Sequence, residues 1–197
     1  VSAGLGYQCF PHKVKGEGFF LSIFRKNEGP AKKQTPASGF RYIKPLPKGQ
    51  IAQAMSCLDQ HMEARFYQTP SGEVLAFPAA LETEYLMLDK FVKTKWFGTN
   101  IGEFKGRDFV PSHALALSLW VSPEIPTVEL SRETALLFLK KETFDPPEGA
   151  PLGWVLARHN GLNLGWLKIL PNRLYKYLPQ DRRIRMSISS FRHVSDD

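Results

Sequence analysis

Two cysteine–histidine pairs are the first candidates for chemistry in this chain, Cys9-Phe-Pro-His12 and Cys57-Leu-Asp-Gln-His61. Thiolate and imidazole together suit zinc, but a zinc site needs four ligands in compact pairs, and neither a CxxC nor an HxxxH is present. On a helix, Cys57 and His61 would share a face as a core thiol beside a surface histidine, which predicts no metal. Ser112-His113 sets a nucleophile type beside a base type, but side chains of helix neighbours diverge, and no GxSxG elbow occurs. Gly4-Leu-Gly6 and Gly16-Glu-Gly18 lack the strand–GxGxxG–helix setting that cradles a phosphate, and there is no Walker sequence. Glu82/Glu84 and Asp196/Asp197 are most simply solvated acids. The chain by itself is therefore expected to hold no catalytic centre, no cofactor site and no metal site.

Charge says more. The net +7 is segregated: residues 11–48 carry +7, residues 49–157 carry −5, and residues 158–193 carry +7 again. Two basic blocks around an acidic middle suit a polyanion, because each Lys or Arg that neutralises a phosphate releases counterions. A merely soluble basic surface is the competing reading. Trp166, Tyr175, Tyr177 and Phe191 are interleaved with the last block, which favours RNA, whose unpaired bases stack on such rings. Two cysteines cannot build a disulfide framework, so a reducing, cytoplasmic setting is the expectation. The densest apolar run, Ala114–Val121, is far too short to span a membrane. A start at Val1 without a signal peptide suggests a piece of something longer.

Several elements must position these residues. Alternation in 5–10 and 19–24 around a turn at 11–18 predicts a β-hairpin, which alone is marginal and should belong to a larger sheet. Residues 27–39 are small, polar and proline-bearing, a linker by composition. Ile51, Ala54, Met55, Leu58 and Met62 predict a helix within 50–66, and Tyr85, Leu88 and Phe91 another over 82–92. A strand is expected at 73–77, and a buried helix from Pro111 to Leu119. Ser131 should cap a helix over 133–141. Asn160-Gly161 predicts the tight turn of a hairpin over 153–169. A weak internal echo also appears: Gly98-Thr-Asn-Ile-Gly102-Glu-Phe-Lys105 parallels Gly161-Leu-Asn-Leu-Gly165-Trp-Leu-Lys168. Its second glycine suits a bulge or close backbone approach. Chance and two related small β/α units both explain it.

Three stretches carry a resemblance. Pro11-His-Lys-Val-Lys-Gly-Glu-Gly-Phe-Phe20 resembles the closing hairpin of the catalytic domain in the Sun/Fmu group of RNA (cytosine-5)-methyltransferases, especially the RsmF branch. Gly153–Pro179 followed by Arg182-Arg-Ile-Arg185 is similar to the PUA-like RNA-binding domain that closes RsmF-type enzymes. Gly98–Leu119 is similar to the domain lying between those parts. The resemblance implies an α+β chain: a terminal β-hairpin of a missing Rossmann-like methyltransferase sheet (1–27), a linker (28–49), an intermediate α/β domain (50–127), and a PUA-like β-barrel (128–193). It also implies that the two catalytic cysteines and the S-adenosylmethionine site lie upstream. Cys9 follows Gln8 and Cys57 follows Ser56, so neither fits the family's Pro-Cys and Thr-Cys contexts. The implied cofactor is S-adenosylmethionine in the full-length parent, with none in this fragment.

The implied partners are RNA, with 16S rRNA or the small ribosomal subunit foremost, and the upstream methyltransferase domain; no membrane partner is expected. Lys168, Arg173, Lys176, Arg182 and Arg183 are the chosen phosphate contacts. Trp166 and Tyr175 are candidates to stack on bases, with core packing the alternative for Trp166. Lys13 and Lys15 would guide the RNA backbone near the missing active site, and Lys105, Arg107 and Arg158 complete the basic set. A protein-interaction module docking on the methyltransferase core or on a ribosome assembly factor is the alternative function, as is the same module in a tRNA methyltransferase.

Overall fold

The computed structural model describes residues 2–3, 6–10, 12–13, 18–23, 39–92 and 98–186. The chain divides into two units, Val1–Thr35 and Pro36–Asp197. The expected linker at 27–39 lies outside the described residues, except for Gly39.

The first unit contains the expected hairpin. Strand β2 (Gly6–Cys9) pairs antiparallel with β3 (Phe19–Leu21), and β1 (Ser2–Ala3) adds to its other side. Both faces are left open: Phe19 is 64% and Phe20 59% exposed, and Tyr7 and Ile23 are bare as well.

The second unit holds two sheets. In the first the order is β4-β5-β6-β7-β8, antiparallel throughout, from β4 (Lys44–Pro45), β5 (Ala64–Gln68), β6 (Glu73–Pro78), β7 (Thr99–Lys105) and β8 (Asp108–Pro111). Period-two alternation in β6 sorts its residues between layers. Leu75 and Phe77 face Ile43, Tyr67 and the ring of Tyr85 on helix α2 (Glu82–Phe91), whereas Val74 and Ala76 face the opposite core. Asp89 of α2 is buried and balanced by Arg41, whose backbone N–H and guanidinium both bond to it. In the second sheet β9 (Thr127–Glu129) lies parallel to β10 (Gly153–His159), which pairs antiparallel with β11 (Leu162–Leu170) and then β12 (Arg173–Tyr177). Among the described residues its ladders leave β9 and β12 as edges and do not close into a barrel. Helix α4 (Arg132–Lys140) covers one face, starting at Ser131, whose hydroxyl accepts from the Thr134 N–H.

Two expected helices come out shorter. The first helix, α1, is Lys48–Met55, not the whole of 50–66, and residues 64–68 form β5. The apolar Cys57 and Leu58 are buried by a non-helical route: Leu58 bridges to Val121, and the Asp59 N–H donates to the Trp120 carbonyl. That same docking ends the helix expected from Pro111 to Leu119 after one turn, α3 (His113–Ala116). The Ser118 hydroxyl donates back to the Leu115 carbonyl, and Leu119 is left 93% exposed.

The core of this unit runs between the sheets. Val74, Ala76, Ile101 and Phe109 from the first, Leu115 and Ala116 of α3, and Leu156 and Trp166 from the second form one buried cluster. Ser112 and His113 do diverge, and each reaches a different sheet. The Ser112 hydroxyl donates to the Asn100 carbonyl, and His113 Nε2 donates to the Leu164 carbonyl. The internal echo explains why the Leu164 carbonyl is available. In both segments the middle residue of Asn-x-Gly is bulged, Ile101 opposite Val74/Leu75 and Leu164 opposite Ala157/Arg158. A bulge frees a carbonyl from the ladder. The Ile101 carbonyl takes the Ser112 N–H at 3.0 Å, and the Leu164 carbonyl takes His113 at 3.1 Å. Two like bulges thus seat α3 in the seam between the sheets.

Candidate nucleic-acid interface

The register of β10–β12 builds the site. Residues directly opposite one another share a face, and Trp154, Lys168 and Tyr175 stand opposite one another across the three strands. The bulge at Leu164 creates this row. A regular hairpin from the Asn160-Gly161 turn would have set Trp154 opposite Leu167, and a one-residue slip moves every side chain beyond it to the other face. The Lys168 ammonium stands over the Trp154 ring, 5.2 Å from its centroid. Tyr177 packs edge-on against the same ring at 4.5 Å. Tyr175 is 41% exposed, and the exposed Arg173 reaches its hydroxyl at 3.5 Å. Leu170, opposite Arg173, is open too. Tyr175 and Arg173 are exposed and Trp154 and Lys168 half-buried beside them, so this end of the sheet sets two rings and two cations together, the combination that takes stacked bases and their phosphates.

The same strand leads to a groove of about 390 Å³ at the seam. It is lined by Asn100, Glu103 and Lys105 of β7, by His113, and by Lys141, Lys176 and Tyr177. Lys141 follows α4 with φ 59° and ψ 23°, the left-handed conformation that costs a side chain roughly 1–2 kcal/mol and is normally given to glycine. Its ammonium donates to the Leu178 carbonyl at 2.8 Å, and that of Lys176 to the Glu142 carbonyl at 2.7 Å. Burial lowers the Lys176 pKa, and the charge of Lys141 lowers it further. Burial likewise lowers the pKa of His113, against the hydrogen bond to Leu164, which raises it.

Residues 125–184 match a family model described as the methyltransferase RsmF PUA domain. The second sheet and its helix are similar to that domain. No curated protein matches the chain. The matched span runs from just before β9 to just after β12 and takes in Trp154, Lys168, Arg173 and Tyr175 together with Lys141 and Lys176.

The expected contact residues separate into groups. Lys168, Arg173 and Tyr175 form the platform, while Lys176 and Lys105 line the groove on the other side of β12. Lys105 is paired with Glu103 at 3.0 Å. Arg182 and Arg183 are exposed after β12, and Arg182 lies close enough to His113 for its charge to be felt there. Arg107 is exposed in the β7–β8 turn, where its carbonyl accepts from Gln53. Arg158 turns its guanidinium onto the Gly161 carbonyl at 2.6 Å, so it braces its own hairpin. Lys13 is exposed in the first unit, and Lys15 lies outside the described residues.

Stacking by Trp166 is overturned. Its ring is fully buried in the seam core, and its indole N–H donates to the Ser112 carbonyl at 2.7 Å. Trp154 takes the place that the sequence reading gave to Trp166. The bulge brings Trp166 and Lys168 to the face of Trp154, and Trp166, opposite Leu156 and edge-on to Trp154, is the tryptophan that the seam core covers. Lys141 was also missed, though a lysine where a helix should end on glycine is a visible signal. Cys57 is buried with its thiol pKa raised by that burial, and His61 is exposed.

Proposed function

We propose that this chain is the RNA-binding C-terminal region of an S-adenosylmethionine-dependent rRNA (cytosine-5)-methyltransferase, which positions small-subunit rRNA for an upstream catalytic domain. The observation that carries this is the Trp154–Lys168–Tyr175–Arg173 platform on a sheet similar to the RsmF PUA domain. Phosphate contacts from Lys168 and Arg173 would hold register, and the rings would stack on unpaired bases. The open apolar faces of the β2–β3 hairpin support an upstream sheet as their cover. The strands of the described residues are antiparallel apart from β9–β10, which supports placing the cofactor site elsewhere in the parent enzyme. In this reading S-adenosylmethionine and methyl transfer belong to that enzyme, whose setting is cytoplasmic.

The test is RNA affinity measured by anisotropy on a 16S rRNA fragment. Lys168→Glu with Arg173→Glu should weaken binding by at least about tenfold at moderate salt and flatten its salt dependence, with circular dichroism unchanged. Unchanged affinity would exclude the platform. It would also shift weight to protein docking, for which α2 offers exposed Leu88 and Phe91.

A further inference from the structure

One wall of the seam groove holds two cations that make no ion pair among the described residues. Lys141 comes from the end of α4 and Lys176 from β12, and each ammonium is aimed by a backbone carbonyl rather than a carboxylate. A carbonyl orients an ammonium but does not neutralise it, and neither does the Phe144 ring 5.2 Å from the Lys176 ammonium, so both lysines keep their charge and N–H capacity for an anion. The two charges lie close enough for Lys141 to disfavour the proton on half-buried Lys176. The left-handed backbone at Lys141 adds an independent oddity. Glycine would end the helix with less strain, and strain held by a charged side chain facing a cavity is a mark of function.

The other wall has a different chemistry. Glu73 accepts from Asn100 and Ser71, and Glu103 pairs with Lys105, so its carboxylates present acceptors where the lysines present donors. A nucleotide has this polarity: an anionic phosphate at one end and base amino groups at the other. Tyr177 links the groove to the platform, since it lines the cavity and packs on Trp154. β12 is an edge strand, so a polymer laid along it meets Arg173 and Tyr175 first and the groove next.

We propose that the seam groove takes one nucleotide of a single-stranded RNA segment, its phosphate clamped between Lys141 and Lys176 and its base toward Glu73 and Glu103. The phosphodiester identity rests on the RNA-binding reading above; the anion clamp rests on the groove alone.

Lys141→Gly is the sharpest variant, because it removes both the ammonium and the left-handed strain and so should fold as well as the parent chain. Lys141→Gly and Lys176→Met, made in the 197-residue chain, should each weaken single-stranded RNA binding severalfold. Together they should weaken it by about tenfold, with the log–log salt slope shallower by about 0.7, the loss of one phosphate contact. Wild-type affinity and slope in the double variant, with Lys168→Glu/Arg173→Glu still losing RNA, would overturn the clamp and leave RNA binding standing. If the parent chain itself binds no RNA, the RNA source is overturned, and inorganic phosphate followed by backbone-amide NMR decides the clamp. Shifts at Tyr177 and Leu178 that vanish in Lys141→Gly would leave a free-phosphate site, whereas no shifts would overturn the clamp as well.

Discussion

At the scale of single residues, burial decides which polar groups are free to act. His113, Asn163 and Trp166 tie α3 to the second sheet, and each bonds a backbone carbonyl. The pKa of His113 is lowered first by burial, with Arg182 also disfavouring the proton while the Leu164 carbonyl and Asp181 favour it. The unfolded chain then binds the proton more readily than the folded one. His113 thus contributes stability that is full above the ordinary histidine range, near pH 6.5, and lost as pH falls through it toward the lowered folded value. His113→Asn should be less stable near neutrality by about 1 kcal/mol for the lost hydrogen bond. Its stability should nevertheless change less than the parent's between about pH 7.5 and about pH 5.5. Thermal melts at both values check this, and parallel pH profiles would count against it.

At the scale of elements, the bulges matter more than the strands that contain them. Alternation and turn residues made the hairpins of both units, α2 and α4 readable, because those signals are local. Asn160-Gly161 marks its turn, and Ser131 caps its helix as expected. The extra residue in β11 was not readable as a register change, since the echo only suggested a bulge and its effect depends on the partner strand. That single insertion brought Trp166 and Lys168 together to the face of Trp154 and Leu156, Trp166 within the seam core and Lys168 beyond it. Segments 56–63 and 117–122 misled for a related reason: Leu58 and Val121 bridge them in a pairing distant in sequence that periodicity does not encode, and Leu117 and Leu119 are left exposed. Gly102 and Gly165 hold the two bulges at φ +154° and +152°. A methyl group at Gly165 would lie 3.0 Å from the Phe138 ring and 3.1 Å from His113, both side chains able to yield. At Gly102 it would lie 2.3 Å from the Val110 carbonyl, which is backbone in the next strand. Gly165→Ala should therefore cost roughly 1–3 kcal/mol and Gly102→Ala more. Denaturant titration of both variants checks the order, and a costlier Gly165→Ala would contradict this account of the echo.

At the scale of the whole second unit, the two sheets stand or fall together because one core serves both. Trp166 sits at its centre, fully buried against residues of each sheet, with its N–H on the Ser112 carbonyl that begins α3. Truncating it leaves a cavity on both sides of the seam and takes the shorter of two hydrogen bonds from the Ser112 carbonyl, which keeps the Ala116 N–H at 3.4 Å, so the damage cannot stay in the sheet that carries the mutation. Trp166→Phe should destabilise by roughly 2–4 kcal/mol. Amide exchange in β6–β7 should speed up by the same factor as in β10–β11, as expected of one cooperative unit. The RNA groove depends on this coupling, since its walls come from β7 on one side and β12 on the other. If β10–β11 lost protection while β6–β7 kept the parent's, the sheets would be separable, and a nucleotide site built between them would have no fixed geometry.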